Sequence, residues 1–256
     1  MHVLLTCGIG DFIAMESHFT AKERDDVMVI HWASRARQTL MELTPFVFKN
    51  VEKHVIERDT WGEPFTKTFC ISSRKELPRL DPSVIDWSVK GIVNEVKSGR
   101  RKYEGSTLVK QQLCDISRLK LPDKYFVVHP YSENARTPVR DLTNDEWLFA
   151  HNRLRTLGMP IVIVNKGGES IRQLPGVTDL TNQLSLAEAI EVTKRGTGFV
   201  GAASLFSVIA SKIMPINRLF IKGSRDLKMN YSWFYYAPHR TNTFVSDSLL
   251  RTMLGA

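Results

Sequence analysis

YFVVHPYSENAR, from Tyr125 to Arg136, is the stretch from which the rest of the chain can be read. Tyr125 to Val128 is a short, unbroken apolar run rich in β-branched side chains. Such a run predicts a strand buried on both faces of a parallel sheet. Pro130 has no N–H to give to a ladder, so the strand stops there. Small, polar and basic residues follow: Ser132, Asn134, Arg136 and then Arg140. Ligands of open α/β sheets sit beyond the carboxyl ends of their strands. A strand that empties into Ser, Asn and Arg therefore predicts an anion-binding loop. The chain downstream reads as a nucleotide-binding domain, and the chain upstream as its partner.

Working outward, strands and helices alternate on both sides. Upstream, His2 to Thr6 is strand-like, Cys7 to Asp11 a glycine turn, and Phe12 to Phe19 a helix by its spacing. Val27 to Trp32 is a second buried strand, Ala33 to Leu43 a helix stopped by Pro45, and Phe46 to Ile56 holds a further strand. Phe69 to Ser72 is another short strand candidate, and Pro82 to Val96 reads as one amphipathic helix capped by Asp81. Downstream, Thr143 caps a helix to Thr156 that Gly158 ends, and Pro160 to Val164 and Val177 to Leu180 are strands. Ser185 and Glu188 have capping-box spacing for a helix to Thr193. Gly198 to Ala202 is a strand, Leu205 to Ile213 a helix before Pro215, Leu219 to Lys222 a strand, and Ser246 to Leu254 a closing helix. This alternation predicts a parallel sheet in each half. The best linker is Leu119 to Lys124, which gives domains 1–121 and 122–256.

The 256 residues carry a formal charge of +8, which favours anionic partners without choosing among nucleotides, glycolipids, nucleic acid or an acidic membrane surface. No apolar run reaches the roughly 18 residues of a membrane span. The N-terminus lacks the pattern of a signal peptide. Three scattered cysteines indicate neither a disulfide frame nor a zinc site, so the expected setting is cytoplasmic.

Four places in this order resemble the heptosyltransferase-type glycosyltransferases, family nine. They are GIGD after the first strand (Gly8, Gly10, Asp11), His129 to Asn134 with Trp147 beyond, Gly167-Gly168-Glu169 after a strand, and the tract from Leu184 to Pro215. The resemblance implies an α/β, GT-B-like fold, with two Rossmann-like domains whose parallel sheets face a cleft. It implies an inverting, metal-independent transfer of a sugar from a nucleotide-diphosphate sugar to an anionic acceptor, at the inner face of a membrane or in contact with it. A lipopolysaccharide core-like glycan is what the family implies as acceptor; a modified DNA base in a phage setting fits the charge. No cofactor is implied beyond the donor substrate. The chain departs from the family where Ala203 stands in the place of an Asp and Val208 in that of a His.

Under this resemblance Asp11 is the catalytic base; by the residues alone it would cap the following helix. Gly10, Ser132, Asn134, Arg136, Glu169, Ala202, Ala203 and Ser204 would bind the donor. Ser132, Asn134 and Arg136 suit a diphosphate, and Glu169 suits a ribose diol or else a helix start. Ala202 to Ser204 would let backbone amides approach phosphate, or simply let helix and strand pack closely. Arg100, Arg101 and Lys102 could meet the acceptor, although a basic run is more often a solvated face. Trp233 to Tyr236 could stack on a sugar but more readily packs in a core. No Asp-x-Asp motif is present, and no metal ligand set is expected. Two other readings stay open: a degenerate sugar-nucleotide-binding protein, kept alive by Ala203, and an NAD-dependent oxidoreductase. The second has only half of the glycine fingerprint and no acid at the end of the second strand.

Overall fold

A computed structural model describes residues 2–5, 9–25, 27–32, 38–55, 84–86, 89–131, 141–165, 174–215, 218–222 and 244–245. The chain divides into two compact units, Met1–Gln111 and Gln112–Ala256. The expected boundary at 121/122 falls inside the second unit. The preceding stretch is tied there: Leu113 and Ile116 are buried, the Leu113 amide donates to Glu191 Oε1 at 2.7 Å, and Arg118 pairs with Glu188 at 2.5 Å.

The first unit holds β1 (His2–Leu5), α1 (Ile9–Glu16), α2 (Ala21–Asp25), β2 (Val27–Trp32), α3 (Gln38–Val47), β3 (Asn50–Val55), β4 (Val84–Asp86), α4 (Val89–Lys97) and α5 (Thr107–Lys110). Its sheet has the order β3-β2-β1-β4, and every pair is parallel. The chain thus starts in the interior of the sheet, builds outward to β3, and returns to the other side of β1.

Two sequence expectations need correction here. The helix expected from Pro82 to Val96 is instead a strand, β4, followed by the helix α4. The run Val84–Asp86 pairs with the open edge of β1 (His2↔Val84, Leu4↔Asp86). A short apolar run carries no period that separates strand from helix, so the vacant edge decides. Pro45 does not stop α3; it lies inside it. An interior proline costs about 3 kcal/mol by removing one bond and crowding a carbonyl. Continuing the helix buries Val47 and delivers Phe48 into an aromatic cluster, with ring centroids 6.4 Å from Phe12 and 5.5 Å from Phe19. Burial of such side chains stabilises by about 1.5–3 kcal/mol each, enough to offset the proline.

The second unit holds β5 (Phe126–His129), α6 (Asn144–Thr156), β6 (Ile161–Ile163), β7 (Val177–Asp179), α7 (Leu186–Arg195), β8 (Gly198–Ala202), α8 (Leu205–Ile213), β9 (Leu219–Lys222) and β10 (Phe244–Val245). Their order is β10-β9-β8-β5-β6-β7, all parallel. Phe126, Val128, Ile161, Ile163, Val200 and Phe220 form one face, covered by Trp147, Ala150 and Leu154 of α6. On the other face the Tyr125 hydroxyl donates to Val192 O of α7 at 2.7 Å. The expected cap at Thr143 and capping box at Ser185 both form, and Thr143 too makes a full box: Glu146 N donates to Thr143 Oγ1, and Glu188 N to Ser185 Oγ, with each glutamate reaching back. The expected strand Phe69 to Ser72 and closing helix Ser246 to Leu254 lie outside the described residues. Among the described residues no helix is long and apolar enough to cross a membrane.

Glycine at 201 is required by close approach: a Cβ there would stand 2.2 Å from the His129 carbonyl oxygen on the paired strand. Backbone cannot yield as a side chain does, so Gly201→Ala should cost about 3 kcal/mol in urea unfolding. Gly158→Ala is the contrast. Its site is open and only its φ of +66° is strained. It should cost about 1–2 kcal/mol.

Candidate functional site

The second sheet changes direction between β5 and β8. Chain order runs one way from β5 through β6 and β7, and the other way through β8 and β9. At such a switch point the two following connections leave on opposite faces and open a crevice at the carboxyl edge. His129 ends β5 there, and Pro130 stops the ladder as expected. Ala202 ends β8, Ala203 donates its amide to Lys222 O at 2.9 Å, and Ser204 caps α8. The first-turn amides of a helix have no partners within it and carry partial positive charge. The Ser207 hydroxyl takes up the Ser204 amide at 2.9 Å. The Ser204 hydroxyl is buried with no partner among the described residues. Ala202, Ala203 and Ser204 are therefore together, at the amino end of a nine-residue helix. This brings a backbone anion site and close packing to one place.

His129, which the sequence marks only as a strand end and the start of a motif, has a side chain with a place of its own. Its Nδ1 lies 2.7 Å from the Val164 carbonyl, just past the end of β6. A carbonyl only accepts, so Nδ1 carries the proton. Its ring meets Phe206 of α8 edge-on, the ring centroids 4.8 Å apart. Burial lowers its pKa to about 4, against the opposing effect of that hydrogen bond, so the ring is neutral at pH 7. Lys222 is likewise marked by the sequence only as a strand end. It ends β9 and pairs with Glu146, the capping residue of α6, at 2.7 Å. A histidine and a lysine at strand ends were the available signals.

The first unit has its own change of direction, between β1 and β4. Gly10 and Asp11 follow β1 at that edge. Helix α1 begins at Ile9, not at Phe12, so both lie in its first turn. Asp11 is thus not the cap that the residues alone suggested; it sits within the first turn, partly buried, where the helix dipole favours a carboxylate.

The basic tract is split by the fold. Arg101 is held within the unit: Nη1 and Nη2 donate to the two Glu23 oxygens at 2.8 Å, and Nε to Glu95 Oε2 at 2.6 Å. Burial pushes the Glu23 carboxyl up, but the Arg101 and Thr20 hydrogen bonds outweigh it and hold it below the usual range. Arg100 and Lys102 are exposed. Trp147, one of the motif residues, packs in the core under α6. Ser132, Asn134, Arg136, Arg140, Gly167, Gly168, Glu169 and Trp233 to Tyr236 lie outside the described residues.

In open parallel α/β sheets, ligands bind at the carboxyl edge of such a switch point. No family model and no curated protein sequence matches the chain. Among solved structures the fold is similar to that of the ADP-heptose lipopolysaccharide heptosyltransferase II of E. coli, with a TM-score of 0.50 at 11% identity, over 87% of this chain and 85% of that one. The E. coli heptosyltransferase WaaC with ADP gives 0.47 at 13% identity, over 88% of each chain. The dodecameric, iron-containing heptosyltransferase TibC in complex with ADP-D-β-D-heptose gives 0.48 at 12% identity, over 86% of this chain. The chain spans 57% of the length of that TibC structure. At such identity the likeness is one of fold, and the chain's fold is similar to that of heptosyltransferase II.

The buried imidazole sets a pH dependence. The unfolded chain binds a proton at His129 as pH falls through 6.5, while the folded chain does so only near 4. Stability rises with pH wherever the unfolded state holds more protons. His129 therefore contributes a loss of about 2 kcal/mol between pH 7 and pH 5. Urea titrations at both pH values should show this loss in the wild type and a smaller one in His129→Asn.

Proposed function

We propose that the chain is an inverting, metal-independent glycosyltransferase that moves a sugar from a nucleotide-diphosphate sugar to an anionic acceptor. The observation that carries this is the switch point of the second unit, where small residues meet the amino end of α8, in a chain whose fold is similar to that of heptosyltransferase II. The diphosphate of the donor takes the first-turn amides of α8 and the Ser204 hydroxyl. Ser132, Asn134 and Arg136 supply positive charge and donors to it, and Glu169 takes the ribose diol. Asp11 of the first unit acts on the acceptor. Its carboxylate removes the proton of an acceptor hydroxyl, whose oxygen attacks the anomeric carbon. The bond from that carbon to the β-phosphate oxygen breaks, the nucleoside diphosphate leaves with the electron pair, and the configuration inverts. Stabilisation of the leaving anion by fixed amides and Arg136 is what dispenses with a metal.

The acceptor we favour is a phosphorylated glycolipid of the lipopolysaccharide core type at the cytoplasmic face of a membrane. The net charge of +8 supports attraction to such a surface, with Arg100 and Lys102 as its exposed basic pair. The second reading is donor binding without transfer. Ala203 favours it, because a buried methyl group stands where the resembling family carries a carboxylate.

A thermal-shift screen of nucleotide-diphosphate sugars tests the donor site. The right donor at 100 times its Kd should stabilise by about 2.7 kcal/mol. A shift with NAD alone would overturn the reading in favour of an oxidoreductase. Asp11→Asn tests the base. It should stay folded, losing about 0.3–1 kcal/mol of dipole interaction, and keep donor affinity. Turnover, or donor hydrolysis to water as a surrogate, should fall ~100-fold to 10,000-fold. Unchanged turnover in the folded variant would remove Asp11 from the mechanism, and donor binding with no turnover in the wild type would leave the binding-only reading in its place.

A further inference from the structure

We infer that His129 is a positioning residue that sets the amino end of α8 against the carboxyl end of β5, and so determines how tightly the site holds a diphosphate. The inference rests on the proposed donor site. Three elements meet at this one imidazole. The residue itself closes β5, its Nδ1–H donates to Val164 O beyond β6 at 2.7 Å, and its ring packs edge-to-face with Phe206, the ring centroids 4.8 Å apart. Phe206 is the second residue of α8, so its own amide is among the first-turn donors.

The hydrogen bond fixes the rotation of the ring, and the ring fixes where Phe206 can sit. The β5–β8 spacing below it is close: Gly201 pairs with His129, and a Cβ at 201 would stand 2.2 Å from the His129 carbonyl oxygen. The side chain of His129 adds a restraint at the amino end of α8 to those the helix takes from α7, β8 and β9. The imidazole does not act as a cation for phosphate, because burial keeps it neutral. Its effect is geometric. Preorganised amides act through being in place before the ligand arrives, and a loss of alignment shows as lost affinity.

The test uses the full chain and inorganic pyrophosphate, whose binding does not depend on knowing the base or sugar. Calorimetric Kd is measured at pH 7.5, at least 15 °C below each Tm. There the folded fraction is essentially complete, and a change in stability alone leaves Kd untouched. His129→Phe keeps a ring against Phe206 and gives up the bond to Val164. His129→Asn keeps a donor for Val164 and gives up the ring. Each should weaken pyrophosphate binding at least fivefold. Phe206→Leu, made from the helix side, should do the same, and it stands in if either histidine variant does not fold. Leu154→Ala, in the core under α6, should lower Tm without moving Kd. Wild-type Kd in folded His129→Phe, His129→Asn and Phe206→Leu, with Tm lowered, would overturn the inference and leave the donor site standing. If wild-type protein binds neither pyrophosphate nor any nucleotide-diphosphate sugar, the donor site itself is wrong and the inference falls with it.

Discussion

The pairing of β5 with β8 is the constraint on which the second unit depends. Every other strand of its sheet is placed by reference to this pair, with β6 and β7 to one side and β9 and β10 to the other. The pair closes where Gly201 meets the His129 carbonyl, an approach that any Cβ would block. Gly198, at the start of β8, makes a like concession to the Phe126 ring, which a Cβ would meet at 2.2 Å. Side chains have been removed from one strand so that the other can carry large ones. That exchange puts Phe126 and Val128 in the core and leaves a small-residue edge at Ala202 to Ser204, where backbone can reach a ligand.

The first unit is held by a different device. Glu16, at the end of α1, is buried, and its carboxylate accepts from the Ser106 hydroxyl and from the Thr107 amide at 2.9 Å. Arg24 stands 3.9 Å away and also donates to the Glu16 and Gly105 carbonyls. A buried carboxylate is costly unless hydrogen-bonded and paired, and here it is both. It thereby caps α5 and ties residues 105–107 to the helix that carries Asp11. Arg101 adds a second tie between α4 and α2 through Glu95 and Glu23. A run that looked like a basic face thus contributes one of its cations to the framework and leaves its neighbours exposed.

The site is a combination of strong local signals with non-local contacts. The carboxyl edge of β5 was legible because a β-branched run ending in His-Pro has few other readings. The amino end of α8 was legible because small residues precede an apolar helix that Pro215 ends. That these two edges are neighbours was not legible, since α6, β6, β7 and α7 intervene between β5 and β8 in the chain. Asp11 shows the same limit at short range. Glycine residues before a helix mark a turn, but they do not say on which residue the first turn begins.

By itself the sequence determined what is local: strand runs such as VMVIHW, the cap at Thr143 and the capping box at Ser185, the glycine stop at 158, and the parallel character of both sheets. These follow from interactions within a few residues, or from a period that the chain repeats. Tertiary structure decided the rest. It made Val84–Asp86 a strand, because β1 had an edge to fill. It carried α3 through Pro45, because Val47 and Phe48 gained more by burial than the helix lost. It took the guanidinium of Arg101 for Glu23 and Glu95, and it placed His129 between Val164 and Phe206. In each case the deciding partner lies far away in the chain, and its contribution is comparable to or larger than the local preference of a kcal/mol or so that it overrides.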